Sequence, residues 1–214
     1  MGSSAMSVNR ARPLCSRADS SPRPVAFPTR MSATTLDALL ALQPLASLPR
    51  TGWIQRGVAA PESVGDHVLG ACFIVLALGP RVDPPLDVER ALALVLVHDA
   101  PEALLGDLPR TASELLPPGA KAQAEERAAA RVLTPLSELA HARFVEYRAG
   151  VTREARFARV CDRLHLGVRM VGYVRSGARG LDDFASTVAA LDCSEFAPAL
   201  ALQREILAAL SRAA

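Results

Sequence analysis

The 214-residue chain is short of several things at once. It has one Lys against 23 Arg, which reads as a bias of composition and carries no function. Aromatic residues make up only 4%, so a core has to be built from Leu, Val and Ala. Its four Cys (Cys15, Cys72, Cys161, Cys193) form no CxxC pair. Cys72 and Cys161 lie in apolar or helical patterns and read as reduced core thiols of a cytoplasmic protein. The longest apolar stretch, Val68–Gly79, has 12 residues, fewer than a bilayer span needs, so no membrane partner is expected. No run alternates as a strand would, and no repeat period is present.

What remains is an apolar chain, 50% hydrophobic, of a size for one domain. The net charge of +2 is unevenly placed. Residues 1–33 carry five Arg and one Asp, while the remainder is slightly acidic. The folded part therefore lacks the basic footprint of a nucleic-acid binder. Residues 1–33, rich in Arg, Ser and Pro, have no apolar face to offset their ordering entropy, and are expected to be a disordered extension. They have some transit-peptide character, but the favoured reading is a non-native extension or an early start codon, since Met31 opens a plausible protein.

Residues 34–214 read as one all-α domain. Thr35 caps a short helix that Pro44 interrupts. Pro61-Glu62-Ser63 opens a long helix with Pro in its first turn. Further helices are expected over Asp87–His98, Ala120–Leu133, Pro135–Arg148, Thr152–Ser176, Leu181–Leu191 and Ser194–Arg212.

Three of the four His stand near carboxylates: Asp66-His67, His98-Asp99 and Asp162-x-x-His165. His98-Asp99 ends an apolar helix, where a charged pair is costly unless compensated, and a divalent metal would compensate it. Glu102 follows four residues after His98 and on a continued helix would share its face. Gly106-Asp107 adds another carboxylate after a flexible turn.

The ordered set His67, Val97-His98-Asp99 and Asp162 resembles the H…HD…D pattern of the HD superfamily of metal-dependent phosphohydrolases. The text around it is similar to the branch of bacterial 5′-deoxynucleotidases and their eukaryotic relatives: Arg50-Thr51-Gly52-Trp53, Arg56-Gly57-Val58, Pro61 to His67, and His98 to Pro109. The match runs over about residues 36–190.

This resemblance implies an all-α HD fold and one divalent ion (Mn, Co, Zn, Fe or Mg) held by His67, His98, Asp99 and Asp162. It implies hydrolysis of nucleoside 5′-monophosphates, usually deoxy forms, by a homodimer. Glu102 matches the family's acid/base residue, with orientation of a ligand as the alternative role. Trp53 matches an aromatic near the nucleotide, or is a core anchor. Arg50 and Arg56 match basic residues near the phosphate, and Asp107 a carboxylate near the sugar. Some bacterial members have Arg where this chain has Gly52, so a deoxyribose preference is expected to be modest. Only His141 lies between the doublet and Asp162, too few ligands for a two-metal site. His165 reads as a packing residue. Two rivals remain: hydrolysis of another small phosphoester, and a metal-binding scaffold without turnover.

Overall fold

The computed structural model describes residues 1–2 and 34–212, and all of Thr34–Arg212 falls within one compact unit. The expectation of a disordered 1–33 extension lies almost wholly outside the described residues.

Eleven α-helices and no strand are present among the described residues: α1 (Thr35–Leu42), α2 (Thr51–Ile54), α3 (Val64–Leu78), α4 (Val88–Val97), α5 (Glu102–Leu105), α6 (Arg110–Ser113), α7 (Ala120–Leu133), α8 (Glu138–Ala149), α9 (Arg153–Arg175), α10 (Asp182–Ala189) and α11 (Ala197–Ser211). The all-α class expected from the sequence is the one observed.

Side-chain caps decide where the main helices begin. Thr34, not Thr35, caps α1 in a box with Asp37. Ser63 caps α3 in a box with Asp66, so Pro61 lies outside that helix rather than in its first turn. Asp87, Ser137 and Thr152 cap α4, α8 and α9 through the backbone N–H groups of Arg90, Ala140 and Ala155. Asp66 is therefore committed to the start of α3 and is no partner of His67.

The 23 residues of α9 run for about 35 Å and pack against α3, α4, α8, α10 and α11. The main core gathers Ala71, Val75, Leu94, Phe157, Leu164 and Ile206 from these helices. Phe157 and Phe196 meet edge to face at 5.1 Å. A second cluster joins Val97 to Val132, Leu133 and Phe144 of α7 and α8. Cys161 and Cys193 are buried free thiols, Cys72 a partly buried one. Together with the turn after it, α3 forms 18 residues (Val64–Arg81) of mean hydropathy 1.3, long and apolar enough by composition to cross a membrane. One of its faces lies in the core, however, and carries His67.

Close approach of α9 to α10 and α11 depends on Gly167, where a Cβ would stand 2.9 Å from Ile206 and 3.2 Å from Val188. Gly167→Leu should destabilise the domain by about 1–3 kcal/mol in urea unfolding through overpacking. An unchanged midpoint would show that the helices are not held this closely.

Candidate metal centre

His67, His98, Asp99 and Asp162 come from three elements. His67 lies in the first turns of α3, His98 is the C-cap of α4 with Asp99 just beyond, and Asp162 sits midway along α9. The structure brings all four together. His67 Nε2 lies 3.0 Å from Asp162 Oδ1 and 3.8 Å from Asp99 Oδ2. His98 Nε2 lies 3.1 Å from Asp99 Oδ2 and 3.6 Å from Asp162 Oδ1. Both imidazoles are buried, and the two carboxylates are each 16% exposed.

These spacings can be tested against an ion. Donors bound at about 2.0–2.2 Å, at angles between octahedral and tetrahedral, stand about 2.8–3.6 Å apart. The observed separations cover nearly the same range. The ring protons also fit. His98 Nδ1 is 2.6 Å from the carbonyl of Val95, which can only accept, so Nδ1 carries a hydrogen. His98 Nε2 then points into the cluster and makes no aligned hydrogen bond there, despite its short distance to Asp99. A donor near two carboxylates yet aligned with neither suits a point between them. Two imidazoles and two carboxylates are also a set that suits a divalent transition ion.

Around this centre the other expected residues fall into two groups. Arg50 and Glu102 belong to it. Arg50, the N-cap of α2, donates to Asp99 Oδ2 at 3.1 Å. Glu102 opens α5 after a turn, because the helix carrying His98 ends there and does not continue as expected. Its Oε2 is buried without a partner. Burial, and then the charges of Asp99 and Asp107, push its pKa up to about 9.

Trp53, Arg56 and Asp107 line the same cleft but make their hydrogen bonds with other groups. Trp53 is buried against Tyr173 and Phe184, and its indole N–H donates to Glu62 at 3.0 Å. Arg56 spends its donors on Asp183 and on the carbonyl of Gly52. It lies at the rim of the cleft with its guanidinium over Phe184. Asp107 Oδ2 accepts from the backbone N–H of Thr51, and its own carbonyl accepts from the Thr51 hydroxyl, which ties the turn after Gly106 to α2.

Nothing in the sequence signals a role for Tyr147. Its hydroxyl donates to Asp162 Oδ2 at 2.9 Å, leaving Oδ1 for the centre, although it lies 15 residues away on another helix. His165 Nδ1 meets His67 Nδ1 at 2.9 Å. Burial, with His67, Arg169 and Arg50 nearby, holds the His165 pKa down to about 3. Three of the four, His98, Asp99 and Asp162, line a cleft of about 730 Å³ bordered by Arg50, Glu102 and Tyr147, with His67 buried behind them.

The family model for the HD domain matches residues 42–194. The chain belongs to the HD domain family. Among curated relatives, it is 31% identical over 153 residues to the 5′-deoxynucleotidase hdd1 of Schizosaccharomyces pombe, covering 67% of this chain and 75% of that one. It is 32% identical over 126 residues to the 5′-deoxynucleotidase HDDC2 of Mus musculus, covering 57% and 61%. Among solved structures, the PH0347 protein of Pyrococcus horikoshii OT3 superimposes with a TM-score of 0.71 at 30% identity, over 81% of this chain and 99% of that one.

Without an ion, burial opposes a charge on His98, but Asp99 and Asp162 outweigh it and hold the pKa well above the ordinary value. The stability this group contributes is complete below about pH 6.5 and is lost as pH rises through the raised pKa. An ion at Nε2 displaces that proton. Metal-free protein should therefore melt lower at pH 9 than at pH 7, while metal-loaded protein should not. Zinc uptake at pH 7 should release about one proton per chain, read by calorimetry in buffers of different ionisation enthalpy. Uptake without proton release would contradict this charge balance.

Proposed function

We propose that this HD protein is a metal-dependent 5′-nucleotidase that hydrolyses ribo- or deoxyribonucleoside 5′-monophosphates to nucleoside and phosphate. The observation that carries the reading is the convergence of four N and O donors at 3.0–3.8 Å with Arg50 and Glu102 beside them. The names of the yeast and mouse relatives supply the substrate class.

His67, His98, Asp99 and Asp162 hold the ion. A divalent ion there supplies Lewis-acid chemistry, making water more acidic and offsetting charge on the phosphate. Arg50, already beside Asp99, offers guanidinium hydrogens to the phosphate oxygens. Water adds to phosphorus as the bond to the 5′-oxygen breaks; Glu102, buried beside the centre, gives a proton to that leaving oxygen, and the proton of the water passes to the phosphate. Tyr147 fixes Asp162, and Asp107 holds the sugar side of the cleft through its tie to Thr51. Arg56 and Trp53 shape the wall through Asp183 and Glu62. A scaffold has no use for an unpartnered buried acid at Glu102, which favours turnover. A homodimer accords with the exposed Leu69, Phe73 and Leu76, which repeat along one face of α3.

The purified chain, assayed with Mn²⁺, Co²⁺ or Mg²⁺ against nucleoside monophosphates, should release phosphate and stop on chelation. Asp99→Ala should lose metal and activity together. Glu102→Ala should keep its metal yet lose on the order of 10²–10⁴ in kcat. Full activity in that variant would remove Glu102 from the mechanism, and turnover of other phosphoesters alone would overturn the substrate class.

The sugar gives a separate test. Deoxy over ribo selectivity in kcat/KM should be modest, about 10–200-fold at most. Asp107→Ala should reduce it. A ribonucleotide preference, or unchanged selectivity in Asp107→Ala, would refute a role for Asp107 in reading the sugar.

A further inference from the structure

The back of His67 faces a second imidazole. Its Nδ1 lies 2.9 Å from Nδ1 of His165, one turn along α9 from Asp162. Two nitrogens at that distance share one hydrogen, so one ring donates and the other accepts. There are two arrangements. In the first, His165 donates to His67, and the other nitrogen of His67, Nε2, carries a hydrogen toward Asp162 Oδ1 at 3.0 Å. In the second, His67 donates from Nδ1, and its Nε2 is a bare lone pair. Only the second lets His67 bind an ion.

The surroundings leave His165 as the sole hydrogen-bond partner of His67 Nδ1 among the described residues. Glu62, the nearest carboxylate behind it, is 3.9 Å from His165 Nδ1 and is turned to Trp53 Nε1 at 3.0 Å and Arg169 Nε at 3.0 Å. The His165 ring is held in place by a glycine on the facing helix. A Cβ at Gly70, three residues after His67, would stand 1.9 Å from His165 Nε2. Any other residue there would push the ring away from His67.

We propose that His165 is a positioning residue for the metal centre: by accepting the Nδ1 hydrogen of His67, it holds His67 Nε2 as a lone pair aimed between Asp99 and Asp162. The inference rests on the metal-centre reading of the four donors. A hydrogen-bond partner behind a metal-binding imidazole fixes its tautomer and ring orientation, and its loss costs about 10–100-fold in metal affinity. Here that partner is a neutral ring rather than a carboxylate or a backbone carbonyl. The rival is a second ion among Glu62, His67 and His165, whose ligand atoms lie within 4.8 Å of one another. It is disfavoured because Arg169 already places a positive charge on Glu62, and the two Nδ1 atoms already share a hydrogen.

The test uses zinc, measured by competition with a chromophoric chelator, and nitrogen-15 NMR of the four histidines. His165→Leu keeps the bulk but removes the acceptor, and should bind zinc about 10–100-fold more weakly. His165→Asn restores an acceptor oxygen and should recover most of the loss. A residue that only packs would change melting without this pattern. In the zinc-loaded wild type, which needs no variant to fold, His67 should carry its hydrogen on Nδ1 and His165 on Nε2. A hydrogen on His165 Nδ1, zinc affinity in His165→Leu within twofold of wild type, or two zinc ions per chain would overturn the proposal. Failure of the wild type to take up zinc at His67 would overturn the metal-centre reading itself.

Discussion

Asp99 and Asp162, 63 residues apart in the sequence, approach the same two imidazoles, and this shared contact is the constraint on which the rest depends. Two carboxylates, mostly withdrawn from water, repel each other and lose solvation. Without an ion, a protonated His98 offsets that cost, and both carboxyl groups are held below their usual range against the effect of burial. A divalent ion offsets it more fully. The domain is thus built around a place where positive charge is needed.

The helices serve that place by their ends and their crossings. His98 and Asp99 lie where α4 stops, so the backbone turns and both side chains aim inward. Asp162 is on the long helix α9, which crosses α3 closely enough to bring His165 onto Gly70. A second layer of contacts lies against the four donors: Val95 at His98, Tyr147 at Asp162, His165 at His67 and Arg50 at Asp99. Each of the four donors has one neighbour behind it or beside it that sets its direction, which is the condition for a site preorganised before an ion arrives.

Much of this was legible in the sequence because its signals are local or carried by order. Helix periodicity, caps such as Thr152, and the ordered histidines and aspartates all survive in one dimension. The contacts that engage Trp53 and Arg56 do not. Trp53 finds Glu62 nine residues on, and Arg56 finds Asp183 across 127 residues, so their engagement could not be read from neighbours. Tyr147 escaped for the same reason. The break between His98 and Glu102 was hidden because Pro101 and the residues around it suit either a continued helix or a turn followed by a new one.

The most direct measurement is an anomalous-scattering crystal structure of the chain loaded with Mn²⁺ or Co²⁺. The expected result is one ion bound by Nε2 of His67, Nε2 of His98 and one oxygen each of Asp99 and Asp162, with His67 Nδ1 still on His165. An ion bound elsewhere, or a centre from which Asp162 is absent, would contradict it.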